Sequence, residues 1–62
     1  MQTIYEARKA CGMTQAQLAK LLGVTQGAVS QWEKGLTHPA FEMWSKLSEA
    51  LGVKIEDLVK AG

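Results

Sequence analysis

Apolar residues recur at helical spacing along most of the chain, and the pattern is clearest between residues 14 and 35. It predicts one helix over residues 15–22 and a second over residues 26–34. A linker of about three residues joins them, as a helix-turn-helix requires. The apolar positions that carry the pattern are Leu18, Ala19 and Leu22 in the first helix and Val29 and Trp32 in the second.

Polar residues and glycines mark the ends of these two helices. Thr14 directly precedes the first helix. Gln17 lies three residues after Thr14, which is the spacing of a capping box. Gly23 follows the last apolar residue, where a left-handed backbone favours glycine. Thr25 is suited to cap the second helix, and Gly35 is suited to end it.

Three further helices are predicted outside this segment. Helix 1 covers residues 3–11 and opens with a second capping-box pair, Thr3 and Glu6; helix 4 covers residues 40–51, and helix 5 covers residues 55–60. The chain is therefore expected to be all-α. The other residues expected to face the core are Ile4, Ala7, Cys11 and Met13 in and after helix 1, Phe41, Trp44, Leu47, Ser48 and Leu51 in helix 4, Leu58 in helix 5, and the turn residues Val24 and Val53.

Size and composition restrict the possible functions. The 62 residues allow one small domain, residues 1–62, with no room for a separate substrate domain. The single cysteine, Cys11, and single histidine, His38, make a disulfide or a metal site unexpected. Ser30 and Ser45 have no neighbouring base, so neither an enzyme activity nor a cofactor is expected. Without an apolar run of ~20 residues or a signal-peptide pattern, the cytoplasm is the expected location.

Charge is unevenly distributed, although the net charge is only +1. Residues 1–38 carry four Lys and Arg against two Glu, whereas residues 39–62 carry three Lys against four acidic residues. The half that contains the two central helices is therefore the more basic one. The excess is small, and it predicts a modest nonspecific affinity for a phosphate backbone.

The central segment closely resembles the Cro/cI-type helix-turn-helix repressors, also called the xenobiotic-response-element family. The resemblance implies a compact five-helix, lambda-repressor-like DNA-binding domain with helices 2 and 3 as the helix-turn-helix. It also implies a complete Cro-like phage or prophage repressor that binds an inverted-repeat operator through helix 3 in the major groove. The matching residues are Thr14, Gln15, Leu18, Ala19, Gly23, Val24, Thr25, Val29, Ser30, Trp32, Glu33 and Gly35.

The resemblance also assigns roles to individual residues. The residues implied in base contact are Thr25, Gln26, Gly27, Ser30 and Gln31. The residues implied in phosphate contact are Gln15, Lys34, Thr37 and His38, and Gln15 is further implied to steady Gln26. Glutamine suits base recognition because its amide can bond bidentately to adenine N6 and N7. The alternative interpretation of this glutamine-rich face is an ordinary solvated surface.

Several positions keep two interpretations open. The resemblance implies a largely buried salt bridge between Arg8 and Glu33, and the alternative is two exposed, unlinked charges. Gly27 stands where many relatives place a base-contacting side chain, so it either gives up recognition there or lets the backbone approach the DNA. Trp32 either packs in the core or contacts a phosphate. Cys11 is either a small apolar residue at the core edge or a reactive thiol.

Double-stranded DNA is the expected partner, together with a second copy of the chain. We expect a weak homodimer that pairs cooperatively on DNA, with no membrane partner and no small-molecule ligand. Relatives use their C-terminal elements for self-contact. In the corresponding part of this chain, Met43 and Val59 are apolar residues outside the core stripes. The other apolar residues outside those stripes are Tyr5, Leu21 and Leu36. Two rival functions are an antitoxin of this fold and a helical protein-interaction module that does not bind DNA.

Overall fold

The computed structural model describes residues 3–59, and within this range all regular secondary structure is α-helical. The helices are α1 (Ile4–Ala10), α2 (Gln15–Leu22), α3 (Gln26–Lys34), α4 (Phe41–Leu51) and α5 (Ile55–Val59). The all-α five-helix prediction is confirmed. Helices 2 and 3 have their predicted bounds, and helices 1 and 4 differ by single end residues. The predicted end of helix 5 at Lys60 lies outside the described residues.

The predicted capping boxes explain where the first two helices begin. Both capping boxes form: Thr3 accepts a hydrogen bond from the Glu6 backbone N–H, and Thr14 accepts one from that of Gln17. Each partner side chain accepts in return from the backbone N–H of its threonine. Gly23 has a φ of +74°, as its position at the end of α2 predicts.

One core joins all five helices. α2 packs against α3 and α4, α4 packs against α5, and α1 packs against α3, within overall dimensions of 23 × 23 × 19 Å. None of the helices within residues 3–59 is both long and apolar enough to cross a membrane. The buried apolar residues are Ile4, Ala7, Leu18, Ala19, Leu22, Val29, Leu47, Leu51 and Leu58.

Helix α4 packs against the core through Trp44, Leu47 and Leu51, as predicted, but it is turned relative to the predicted face at its edges. Phe41 was expected inside but is 88% exposed, whereas Met43 was expected outside and packs partly buried against the core. At about 100° per residue, Phe41 lies about 120° around the helix from Leu47, which is fully buried. The true inward face runs through Met43, Trp44, Leu47, Ala50 and Leu51.

Two smaller expectations near the end of α1 also need correction. Cys11 is exposed and not a core-edge residue, and its thiol lies 3.3 Å from the Leu51 carbonyl oxygen, to which it donates a hydrogen bond. Met13 is only partly buried, although it does pack against the core. The buried position on this side of α1 is occupied instead by Arg8, which is 7% exposed.

Candidate nucleic-acid interface

Helix α3 has one face fixed in the core and another face open to solvent. Val29 is fully buried, and Trp32 is partly buried and packs against the core rather than standing free at the surface. The predicted base-contacting residues lie elsewhere on this helix or at its cap. Of these, Thr25, Gln26, Gly27 and Gln31 are exposed, and Ser30 is partly buried.

The N-terminus of α3 is held by Thr25. Its hydroxyl oxygen accepts a hydrogen bond of 3.1 Å from the Ala28 backbone N–H. This bond fixes the side chain by occupying one lone pair of the hydroxyl oxygen, and the O–H group can still donate. The cap therefore orients the first turn of α3, which carries Gln26 and Gly27.

Arg8 connects α1 to the far end of α3. Its Nε and Nη2 donate to Glu33 Oε2 and Oε1 at 2.6 and 3.1 Å, and its Nη1 donates to the Met13 carbonyl oxygen at 2.8 Å. The two charged side chains are only 8% and 6% exposed. The Tyr5 ring lies 5.2 Å from the guanidinium carbon, within the range of a cation–π contact. This is the buried pair that the resemblance implies, and it joins α1 rigidly to α3.

Gln15 takes part in the same network. Its Nε2 donates to Glu33 Oε1 at 2.9 Å, so the start of α2 is tied to the end of α3. The structure shows no hydrogen bond from Gln15 to Gln26 within residues 3–59, and the implied steadying of Gln26 stays a prediction. An amide nitrogen has two hydrogens, and the second remains available to an oxygen from outside the protein.

The buried position of Glu33 affects its ionisation. Burial alone would raise the pKa of the Glu33 carboxyl group, because it disfavours the charged form. Hydrogen bonds from Arg8 and Gln15, together with the Arg8 charge, outweigh this effect and hold the pKa below its ordinary value. The same ion pair raises the pKa of Arg8. Both groups are therefore charged at neutral pH.

The predicted phosphate contacts beyond α3 are at the surface. Lys34 is in the last turn of the helix, and Thr37 and His38 lie in the loop before the buried Pro39; all three side chains are exposed. Gln26, the first residue of α3, lines a common cleft of about 390 Å³ with Gln15.

Sequence reasoning missed Lys9 as a residue of this surface. It lines the same cleft as Gln15 and Gln26. The only signal was its position directly after Arg8, and its nearness to Gln26 depends on how α1 packs against α3. Among residues 3–59, no group of three His, Cys, Asp or Glu side chains is arranged to hold a metal ion.

Known proteins resemble this chain over most of its length. A family model described as helix-turn-helix matches residues 4–58. A helix-turn-helix-type transcriptional regulator of Archaeoglobus fulgidus is 38% identical over 55 residues, which cover 89% of this chain and 79% of the relative. The repressor protein C2 of Salmonella phage P22 is 39% identical over 59 residues, which cover 95% of this chain but only 27% of the relative.

A solved structure of the P22 c2 repressor shows the same fold. It superimposes with a TM-score of 0.81 at 40% identity, covering 86% of this chain and 80% of that one. That crystal contains the repressor in complex with a synthetic operator.

Proposed function

The chain belongs to the helix-turn-helix family, and we propose that it is a sequence-specific repressor of Cro type that reads double-stranded DNA through α3. Its operator would be an inverted repeat, and its place of action the cytoplasm of a bacterium or of a phage-infected bacterial host. The likeness to the P22 repressor, whose structure was solved with a synthetic operator, supports a DNA partner.

The observation that carries the proposal is the two-sided character of α3. Val29 is fully buried on one side, whereas Gln26 and Gln31 are exposed. The major groove of B-DNA admits one α-helix, and the amide of glutamine can bond both N6 and N7 of adenine. A helix that is held to the core by a buried residue on one side and exposes glutamine amides on another fits that groove.

The surrounding residues fit a role in positioning the helix on the DNA. Gln15, Lys34, Thr37 and His38 supply neutral or basic donors on either side of the exposed amides. Contacts of this kind go to phosphate oxygens and fix the register of the protein without reading sequence. Lys9 extends the same set along the cleft beside Gln15.

A single domain provides few contacts, so we expect two copies to act together. A domain 23 Å across fits one half-site, and half-sites that face the same side of the duplex are about 34 Å apart. Two copies on an inverted repeat would add their base contacts and block polymerase by occupying the promoter. The pairing is expected to be weak in solution and cooperative on DNA.

The test begins with selection of bound sequences from a random duplex pool. On the selected operator, Gln31→Ala should cost about 1–3 kcal/mol of binding free energy, because a bidentate base contact is lost. Binding to random DNA should barely change. The control is Ser45→Ala, an exposed position on α4, which should bind both DNAs like the wild type.

The rival interaction module has one point in its favour, a net charge of only +1. Wild-type protein that is not retained on any duplex at low salt would support that rival and refute the repressor. Equal losses for Gln31→Ala on operator and on random DNA would leave DNA binding intact but reject the base-reading role of Gln31.

A further inference from the structure

Gly27 differs from the other glycines that the structure describes. In those four, φ lies between +69° and +75°, which a side chain would strain, and they are Gly12, Gly23, Gly35 and Gly52. Gly27 has no positive φ and lies in the first turn of α3. Its backbone conformation is therefore one that any residue can adopt.

Packing within the protein does not require glycine at this position either. A Cβ atom built on Gly27 would meet only Thr25 Oγ1, at 3.9 Å, which is an ordinary van der Waals distance. Glycine also makes a helix less stable than alanine does, because it loses more backbone freedom on folding. The free chain thus contains a helix-weakening residue that neither backbone geometry nor packing requires.

The location of Gly27 gives the missing reason. It is exposed, it follows Gln26, and it precedes Ser30 and Gln31 by three and four residues. Residues at that spacing are neighbours on one helix face. The absent side chain therefore leaves the backbone uncovered in the middle of the surface that is proposed to read DNA.

We propose that Gly27 determines operator specificity by leaving the backbone uncovered, so that the first turn of α3 lies against the edge of one base pair. Any side chain at position 27 would hold the turn away from that edge and weaken the neighbouring contact of Gln26. This inference rests on the proposed function, and it decides between the two interpretations of Gly27 in favour of close backbone approach. Glycine in such a place is the usual means of bringing a backbone close to a ligand.

The experiment measures stability and binding of Gly27→Ala in the full chain. The melting temperature should rise by about 2–5 °C, since alanine favours the helix and fits without a clash. Affinity for the wild-type operator should fall at least about tenfold, with no change on random DNA. A repeated selection should change the base preference at one position in each half-site and leave the others intact. Ser45→Ala, which favours a helix without touching this surface, should leave affinity and base preference unchanged.

Each contrary result has a distinct meaning. If Gly27→Ala binds the same selected sequence with wild-type affinity, the missing side chain has no role in recognition and the inference is overturned. An equal loss of affinity for operator and for random DNA also overturns it, because a residue that determines specificity must affect binding to the operator more than binding to random DNA. A lower melting temperature would show that the fold itself requires glycine there. If the wild-type protein binds no duplex, the proposed function is refuted, and this inference is refuted with it because it depends on DNA binding.

Discussion

Arg8 is a charged residue in a position that the core would otherwise fill with an apolar one. It is 7% exposed, and its Nε, Nη1 and Nη2 all have partners. Burial of a charge is tolerated only when its hydrogen bonds are satisfied and an opposite charge is near. The carboxylate of Glu33 meets both conditions, and through Gln15 the same carboxylate also reaches the start of α2.

Removal of Arg8 should therefore be far more damaging than removal of a surface charge. Arg8→Met leaves Glu33 buried without its counter-charge and should cost about 3–5 kcal/mol of unfolding free energy. Small domains of this size have about 3–5 kcal/mol in total, so much of the protein should unfold. The double variant Arg8→Met with Glu33→Leu should recover part of the loss. Thermal melts compare the three proteins, and near-wild-type melting of Arg8→Met would disprove the coupling.

The same pair predicts how stability depends on pH. The pKa of Glu33 is lower in the folded protein than its ordinary value of 4.5, which holds in the unfolded chain. The stabilisation from Glu33 is therefore complete above about pH 4.5 and is lost as pH falls through the lower, folded pKa. Denaturant unfolding of wild type should show stability falling with acid over that window. Glu33→Gln should flatten the fall, whereas Thr14→Ala, which alters no carboxylate, should keep the wild-type slope.

At the level of the helix, α4 shows how two apolar stripes compete for the core. Phe41 begins the helix and fits the spacing i, i+3, i+6 with Trp44 and Leu47. The stripe through Met43 and Ala50 fits Leu47 equally well. Contacts with α2 and α5 decide between them, and they turn Phe41 to solvent.

This orientation predicts a large difference between two substitutions in one helix. Phe41→Ser should change the unfolding free energy by less than about 0.5 kcal/mol, because the ring is 88% exposed. Leu47→Ala should lower the unfolding free energy by about 2–5 kcal/mol, because it leaves a cavity in place of a fully buried side chain. Urea unfolding of both variants measures the difference. A loss of several kcal/mol for Phe41→Ser would restore the original assignment of the core face.

At the level of the whole molecule, the large apolar side chains exposed within residues 3–59 come from five different parts of the chain. They are Tyr5, Leu21, Leu36, Phe41 and Ile55, and no two of them belong to the same helix. Met43, expected to be free for self-contact, packs against the core. Val59 lies among the residues whose side chains are not described. Stable dimers bury about 800 Å² per partner, and we expect single apolar side chains on separate elements to fall short of that area.

We therefore expect the protein to be largely monomeric at micromolar concentration and to pair on DNA. The acidic balance of residues 39–62 adds repulsion between two such halves at low salt. Sedimentation velocity at several salt concentrations measures the free state, and half-site DNA should bind far more weakly than the full inverted repeat. A tight dimer that is insensitive to salt in the absence of DNA would contradict this prediction.

Local chemistry made much of the fold readable from the sequence. The caps at Thr3, Thr14 and Thr25 and the left-handed Gly23 act over three or four residues, so neighbouring residues are enough to predict where α2 and α3 begin and end. The alternation of Val29 with exposed amides on α3 follows equally from helical geometry. These features predict the exposed face of α3 before any tertiary contact is known, and the resemblance to a family of repressors supplies its expected role.

Packing between distant segments decided the rest, because it depends on which neighbours a residue meets. The burial of Arg8 requires Glu33, 25 residues away, and the link from Gln15 to the same carboxylate spans 18 residues. The rotation of α4 depends on α2 and α5, so the spacing within α4 was insufficient to place Phe41. The sequence left two interpretations of Gly27 open. Only the tertiary structure shows that a side chain would fit at this position without a clash.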